Sequence, residues 1–309
     1  MLIFLYLCTV KRFALVIGLL LPLCAWATPH LPDSVWTVLQ KDGHHHEEAN
    51  EIWLSADRPG VGSEVLDRGY IQWETGFEVA HFMATHFVTL PTTLFRFGVH
   101  KRVEMRLEYN GWLMLSDHPD SDPTSADAAL YAPSWLWVGS KFQLWQHHGG
   151  SLDQKWIPRA ALLLNLGLPT TTVLAEDMPI AGIVDLAFEN EVLEWLSLSY
   201  NLSVQWVEWA PAPDILPSLA INFMPTDHLG LFVESFAMFD CDAVRPDGST
   251  YTHSDVNFDL GLTYAVHPRV QLDIYGGFNL YNSSPALSGP KQSSFLGFGV
   301  TWLIWHPQK

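Results

Sequence analysis

From about residue 70 to the end of the chain, apolar and polar residues alternate with a period of two. The clearest case runs from Leu196 to Trp206, where apolar residues alternate with Ser, Asn and Gln. Successive side chains of a strand face opposite sides, so each such segment has one apolar face and one mostly polar face. Twelve segments of this kind predict strands at 70–81, 92–99, 103–115, 135–146, 157–168, 183–190, 196–207, 216–224, 229–239, 255–265, 269–280 and 293–305.

The lengths of these segments and of their connections predict the architecture. Tilted strands of about 9–11 residues cross a membrane, and most of the twelve have that length. Tight and long connections alternate along the chain, and the long ones are rich in Asp, Ser, Pro, Gly and Thr. The connection at 146–156 departs from this pattern, because it is longer than a tight turn. Tight turns on one rim and long loops on the other are typical of outer-membrane barrels. The sequence therefore predicts an all-β fold, a transmembrane antiparallel up-and-down β-barrel of about twelve strands. We expect tight connections at 100–102, 225–228 and 267–268, and long ones at 116–133, 169–182, 240–254 and 281–291.

A soluble β-sandwich or a lipocalin-like barrel is the alternative, with the apolar faces inward and the polar faces in water. Three features disfavour it. Twelve long strands would enclose a very large core, and the polar faces contain few Lys residues. Aromatic residues also cluster near strand ends, as membrane-interface girdles require. These are Trp112, Trp135, Trp195, Trp206, Trp209 and Trp305.

The first 27 residues have the anatomy of a secretory signal peptide. Lys11 and Arg12 precede an apolar run that is too short to span a bilayer comfortably, and Ala25-Trp26-Ala27 gives a small-x-small cleavage pattern. Lipidation at Cys24 is an alternative that the bulky Leu23 disfavours. We predict a signal peptide at 1–27, a periplasmic N-terminal segment at 28–67 and an outer-membrane barrel at 68–309. The expected location is the Gram-negative outer membrane after cleavage, with outer-membrane lipid and the membrane's assembly machinery as partners.

Composition narrows the classes of function. Charged residues make up 16% of the chain, against about 25% in a typical soluble domain. After residue 27 no apolar run reaches 18 residues, which excludes a polytopic helical membrane protein. The net charge of -17 argues against nucleic acid as a partner, and cleavage would leave 14 basic and 33 acidic residues. Cys241 would then be the sole cysteine, which excludes an internal disulfide and a CxxC site. No cofactor is predicted.

If the apolar faces meet lipid, the other faces line the lumen and carry many charges. Acidic residues outnumber basic ones there, and Glu74, Arg106 and Glu108 lie on nearby strands where they could form a ladder of ion pairs. These charges either neutralise one another and stiffen the wall, or form a constriction that selects permeants. The predicted lumen residues are Gln72, Glu74, Glu78, Arg96, Glu104, Arg106, Glu108, Asn110, Lys141, Gln143, Asp185, Glu189, Glu234, Asp255, Asp259 and Asp273.

The segment 229–239 departs from this pattern. If Glu234 faces the lumen, then Phe232, Phe236 and Met238 do so as well. Such an apolar patch could bind an apolar or aromatic solute. Alternatively, the three side chains pack against an inserted segment or against Gly-rich neighbours.

The segment before the barrel contains two features of interest. His44-His45-His46-Glu47-Glu48 offers side chains that ligate metals, but consecutive residues rarely all reach one ion. We predict a polar tail there and no metal site. Asp57-Arg58-Pro59-Gly60 has the composition of a rigid turn. It is expected to fasten the segment to the periplasmic mouth or inside the lumen.

Two motifs resemble the opening of a known family. Residues 54–60 contain a Ser/Thr-x-Asp-Arg-Pro element, with Asp57, Arg58 and Pro59, and Gln72, Glu74 and Gly76 follow in the first strand. This pattern resembles the outer-membrane β-barrel "transporter" family named for the meta-pathway of phenol degradation. Further echoes are Gly139-Ser140-Lys141 and Leu166-Gly167-Leu168-Pro169, although Pro-Thr-Thr stands at 169–171 where the family has Pro-Thr-Gly. The resemblance covers most of 54–309 and implies a Gram-negative outer-membrane barrel that passes aromatic compounds.

These observations predict a channel for the passive passage of small solutes, including hydrophobic or aromatic compounds, with the permeant unknown. A structural or adhesive barrel without transport is the main alternative, because a fold does not fix a function. A lipid-modifying enzyme would need a nucleophile with a base, such as a Ser–His pair. His81, His86 and His118 have no Ser in a motif-like context beside them, so we expect no enzymatic activity.

Overall fold

The computed structural model describes most of the barrel and part of the segment that precedes it. The predicted signal peptide, the His44 to His46 run, the Arg58-Pro59 pair, Trp209 and His118 lie outside the described residues. The described residues are 54, 56–57, 60–82, 85–116, 129–132, 135–145, 157–170, 179–208, 210–245, 247–283 and 293–306.

Strand pairing closes the sheet into a barrel. Each long strand pairs antiparallel with the next along the chain, and β13 pairs with β1 to complete the ring. The short β4 and the longer β5 follow the same edge of β3, so the thirteen strands form a twelve-strand wall. The strands are β1 Ile71–Phe82, β2 Thr85–His100, β3 Val103–Ser116, β4 Ala129–Ala132, β5 Leu136–Trp145, β6 Arg159–Leu168, β7 Ala181–Leu193, β8 Leu196–Val207, β9 Asp214–Thr226, β10 Leu229–Val244, β11 Thr250–His267, β12 Val270–Asn282 and β13 Ser293–Trp305.

The predicted fold class and all twelve predicted strands are confirmed, but β2 is longer than expected. The sequence predicts that it begins at residue 92, whereas it begins at Thr85. Pro91 cannot donate a ladder hydrogen bond, so the sequence predicts that the strand begins after this residue. In the structure, a register shift between Thr89 and Thr92 excludes the two intervening residues from the ladder, and pairing resumes beyond them. A β-bulge thus accommodates the proline.

The long loop predicted at 240–254 is wrong. β10 continues to Val244 and β11 starts at Thr250, so the two strands project as a hairpin. Gly248 has a φ of +82° and donates to the Arg245 carbonyl at 2.9 Å, which closes the turn. The residues of this extension are mostly polar on both faces, and therefore resemble a loop in composition.

The expected tight turns lie together on one rim, but the opposite rim also has a short connection, since β1 ends at Phe82 and β2 begins at Thr85. We call the rim where β1 begins and β13 ends the terminal rim, and the opposite one the loop rim. The terminal rim carries tight turns at 101–102, 194–195, 227–228 and 268–269, and the longer connection 146–158. In the part of the chain that the structure describes, no helix is long and apolar enough to cross a membrane.

The two faces of the wall have opposite chemistry. Outward-facing Leu260 is 56% exposed, while its neighbour Asp259 is 5% exposed. Leu202, Leu272 and Phe298 are also exposed on the outside. The inward set is buried and polar, and it includes Gln72, Arg96, Glu104, Lys141 and Asp273.

Candidate functional site

The described residues just before β1 lie inside the barrel. Asp57 contacts Lys141 on β5, the Val61 carbonyl accepts a hydrogen bond from Asn201 on β8, and Ser63 donates one to Glu189 on β7. Only a segment within the lumen can touch strands so far apart around a closed wall. We call the described residues 56–57 and 60–67 the plug. The wall residues that it contacts lie in the half of the barrel nearer the terminal rim.

Asp57 is the centre of the first anchor of the plug. Its carboxylate lies 3.0 Å from Lys141 Nζ and 3.5 Å from Arg96, and it also forms an ion pair with Arg106. Glu104 binds both guanidinium groups, at 2.8 Å from Arg96 and 2.9 Å from Arg106. All five side chains are nearly inaccessible to solvent. We call this group, with Glu74, the Asp57 cluster.

Glu74 completes the cluster and balances its charge. It lies 3.1 Å from Arg96, accepts a hydrogen bond from Gln72 at 2.9 Å and accepts the backbone N–H of Asp57 at 3.3 Å. Three acids therefore meet three bases. Burial alone would raise the pKa of Asp57, but the charges of Arg106, Arg96 and Lys141 outweigh it and hold the pKa well below its ordinary value of 3.8.

A second anchor joins the plug to β6 and β7. Arg159 lies 2.6 Å from Glu64 of the plug, 2.9 Å from Glu189 and 3.1 Å from Glu191. Ser63 donates a hydrogen bond to Glu189 at 3.1 Å. One base is thus shared by three acids, in contrast to the balanced Asp57 cluster. We call this group the Arg159 cluster.

Two glycines let the plug approach the wall. Gly60 has a φ of +58°, and a Cβ there would lie 2.8 Å from Asn201 Oδ1 and 3.2 Å from Glu234 Oε1. A Cβ on Gly98 of β2 would lie 1.9 Å from the Asp67 carbonyl oxygen. Backbone hydrogen bonds fix this exit from the lumen, because Gly69 donates to the Gly98 carbonyl at 2.7 Å.

The opposite side of the lumen is aromatic. Phe236 of β10 and Tyr275 of β12 both contact Phe295 of β13 in tilted arrangements, with ring centroids 6.1 and 6.3 Å away. The Tyr275 hydroxyl donates to Glu78 on β1 at 2.9 Å. Phe232 is 6% exposed, whereas Met238 lies farther toward the loop rim and is 37% exposed.

These rings rest on glycines of the adjacent strand. A Cβ on Gly261 would lie 2.5 Å from the Phe232 ring, and one on Gly297 would lie 2.2 Å from the Tyr275 ring. Gly277 has the same relation to Phe295, at 2.5 Å. In each case the glycine is the direct cross-strand partner of the aromatic residue. Phe232 thus packs against a glycine of the neighbouring strand, as one of the arrangements expected from sequence has it, and it also lines a cavity.

A cavity of about 320 Å³ lies between the plug and these two sides. Its floor includes Asp57, Gly60 and Val61. The wall around it carries several carboxylates and few bases, with aromatic residues on one side. The wall residues are Glu74, Thr92, Thr93, Leu94, Arg106, Glu108, Asn110, Phe232, Glu234, Asp259 and Tyr275.

The remaining predicted residues also lie on inward faces, but the pairing differs from the expected ladder. Arg106 pairs with Asp57 and Glu104, and Glu108 accepts a hydrogen bond from Asn110 at 3.0 Å. Asp185 accepts one from Ser203 at 2.8 Å. The motif residue Gly76 is needed for close strand approach, since a Cβ there would lie 2.1 Å from the Phe298 carbonyl oxygen on β13.

Sequence reasoning missed Arg159 as a site residue. It opens β6, where Ala160 and Ala161 follow and both are buried, so the alternation that marks an inner face is absent at that end. The sequence does contain one indication of its position. Arg159 and Asn165 are an even number of residues apart, so their side chains lie on the same face of β6. Among the described residues, no group of three or more His, Cys, Asp or Glu side chains is arranged to hold a metal ion.

Comparisons with known proteins concern the architecture. No protein-family profile matches the chain, and no curated protein sequence matches it. Among solved structures, the NanC porin is similar over 74% of this chain and 98% of its own, with 7% identity and a TM-score of 0.49. The KdgM porin in complex with disordered oligogalacturonate is similar over 75% of this chain and 99% of its own, with 9% identity and a TM-score of 0.45. The translocator domain of the autotransporter NalP from Neisseria meningitidis is similar over 80% of this chain and 90% of its own, with 13% identity and a TM-score of 0.42.

Proposed function

We propose that the protein is an outer-membrane channel for the passive passage of small solutes. The observation that carries this proposal is the closed barrel whose outside is apolar and whose inside is charged and contains a cavity. A soluble protein rarely exposes large contiguous apolar patches. A bilayer accommodates such a surface, and a polar interior then provides a path that lipid does not.

Aromatic residues near both rims support the membrane setting. Trp302, Trp305 and Tyr264 are exposed near the terminal rim, and Trp206 and Tyr281 are exposed near the loop rim. Amphipathic rings favour the two membrane–water interfaces. The cleavage pattern after Ala27 is consistent with export to the periplasm before insertion.

The aromatic side of the lumen supports a finer proposal about the permeant. Phe232 and Tyr275 line the cavity opposite the charged plug anchors, so a solute there meets rings on one side and polar groups on the other. Pockets with that combination bind small molecules that have an apolar body. The resemblance to the family named for phenol degradation points to the same class of hydrophobic or aromatic compounds.

Planar bilayers test the channel directly. Purified full-length protein should give discrete current steps, and the reversal potential in a tenfold KCl gradient should indicate a preference for cations, because carboxylates dominate the cavity wall. Glu108→Gln and Glu234→Gln should reduce that preference. Asp247→Asn, in the exposed hairpin turn, is the matched control and should not change it. A preference for anions would contradict this assignment of the cavity.

A structural or adhesive barrel without transport is the second candidate. The observation that favours it is the plug, which two ion-pair clusters fasten across the terminal half of the lumen. Such a protein would migrate as a heat-modifiable barrel in SDS gels, as a channel would, but would give no current. Absence of current from protein that shows the heat-dependent shift would therefore favour this candidate.

A further inference from the structure

In the Asp57 cluster, three bases of the wall surround one carboxylate of the plug. Arg96, Arg106 and Lys141 come from three different strands and converge on the Asp57 side chain, and Glu104 holds the two guanidinium groups in place. Guanidinium and ammonium groups arranged in this way recognise carboxylates through charge-assisted hydrogen bonds. The wall supplies the bases, whereas the carboxylate comes from the plug, which is not part of the sheet.

The cluster is also within reach of a solute. Asp57 and Arg106 both line the cavity, so a molecule inside the cavity meets both side chains. Arg106 Nε is buried and has no hydrogen-bond partner among the residues that the structure describes. The guanidinium group therefore retains the capacity to donate to one more acceptor.

We propose that this cluster is a binding site for the carboxylate group of a small solute, and that Asp57 of the plug occupies it in the absence of that solute. A solute carboxylate would replace Asp57 on the same three bases and so weaken the attachment of the plug. The assignment of a solute rests on the proposed channel function, but the carboxylate site can be tested without it.

Asp57→Ala removes the resident carboxylate and leaves three bases with Glu74 and Glu104. Acetate is the probe, with chloride at equal ionic strength and acetamide as the uncharged isostere. Full-length protein folded in detergent should lose stability on this substitution, and acetate should restore part of it, raising the unfolding midpoint by about 2–4 °C over chloride or acetamide. The wild type should gain no stability from acetate, since acetate must first displace a tethered carboxylate that has a high effective concentration.

Glu64→Ala is the matched control. It removes the other plug acid that binds a buried base, but Arg159 keeps Glu189 and Glu191. An excess of acid remains at that position, so acetate should not stabilise the variant. Asp57→Asn fills the Asp57 position with an uncharged side chain and should likewise gain nothing from acetate.

Equal responses of the Asp57→Ala and Glu64→Ala variants to acetate would overturn the proposal. So would failure of Asp57→Ala to refold in acetate under conditions where Asp57→Asn folds, because bound acetate should replace the missing group. Current steps in bilayers without acetate-specific rescue would reject the site and leave the channel standing. Rescue by acetate without any current would support the site and reject the channel.

Discussion

The two sides of the barrel interior achieve close packing by different means. On one side, β1, β2, β3 and β5 carry buried charges that are completed by Asp57 from outside the sheet. On the other, β10 to β13 carry aromatic rings that lie on glycines of neighbouring strands. We call these the charged wall and the aromatic wall.

The difference determines what each wall depends on. Within the Asp57 cluster, charge is balanced only while the plug is present, since the three bases of the wall exceed Glu74 and Glu104 by one. The aromatic wall needs no other segment for its ring–glycine pairs, because each ring and its glycine are cross-strand partners within the sheet. We infer that the charged wall couples barrel stability to the plug, whereas the aromatic wall shapes the cavity independently of it.

The largest expected effect comes from breaking the charged wall. Glu104→Ala would leave Arg96 and Arg106 without their shared carboxylate and remove the acceptor of the Leu66 N–H. Removal of one partner from a buried ion pair costs about 3–5 kcal/mol. Urea unfolding in detergent, followed by tryptophan fluorescence, should show a loss of this size. Glu194→Ala, in an exposed turn, is the control and should change little. A loss below about 1 kcal/mol would mean that solvent or a rearranged plug compensates the two arginines.

A smaller effect is expected from crowding the aromatic wall. A methyl group on Gly297 would overlap the Tyr275 ring, and overpacking of a well-packed site costs about 1–3 kcal/mol. If the overlap is the cause, Tyr275→Ala in the same chain should make Gly297→Ala less costly. A double-mutant cycle on the free energy of unfolding measures that coupling.

Gly276→Ala is the matched control for this cycle. Gly276 directly follows Tyr275 in β12, so a Cβ there would point to the opposite side of the sheet from the Tyr275 ring. Apart from its two chain neighbours, the nearest atom would be the Phe295 carbonyl oxygen at 3.2 Å. It should cost less than Gly297→Ala and should not couple to Tyr275. Additive effects of Gly297 and Tyr275 would contradict the packing that we describe.

Much of the wall could be predicted from sequence because its register depends on a local signal. An error of one residue would move Asp259 outward and Leu260 inward, and the alternation around them allows only one choice. Interruptions of that signal caused the errors. Pro91 hid the first part of β2, and the polar hairpin after Asp240 had the composition of a loop.

The site was less predictable, because its partners are distant in sequence. The alternation along each strand identifies which charges lie on the inner face, but it does not identify their partners. Asp57 binds Lys141, which lies 84 residues away in sequence. Nothing in the local pattern specifies that pairing, and so the expected ladder through Glu74, Arg106 and Glu108 differs from the observed cluster. The ring–glycine pairs were unpredictable for the same reason. The cross-strand register that places Tyr275 beside Gly297 has to be known before the pair can be identified.

Acid should weaken the charged wall through Asp57. Because its pKa is held below the ordinary value of 3.8, the folded state binds fewer protons than the unfolded state as the pH falls below that value. The contribution of Asp57 is therefore complete above about pH 4 and declines on acidification, by at most about 1.4 kcal/mol per pH unit. Asp57→Asn should flatten the dependence of unfolding free energy on pH between about pH 4 and pH 2. Parallel curves for wild type and Asp57→Asn would show that the three bases do not hold Asp57 as described.

The smallest effect on stability is expected within the Arg159 cluster. Substitutions there test whether each charge near the plug contributes equally to the free energy of unfolding. Glu191 binds Arg159 at 3.1 Å but is 43% exposed, and Glu64 and Glu189 already neutralise the same guanidinium group. An exposed ion pair contributes about 0–1 kcal/mol, and repulsion from two nearby acids reduces that further. Glu191→Ala should therefore change the unfolding free energy by less than about 0.5 kcal/mol, in either direction. Glu64→Ala, which detaches the plug from the same base, should cost more. If the two variants lost equal stability, Arg159 would act as a charge of the wall alone, and of the two ion-pair clusters only the Asp57 cluster would stabilise the barrel through the plug.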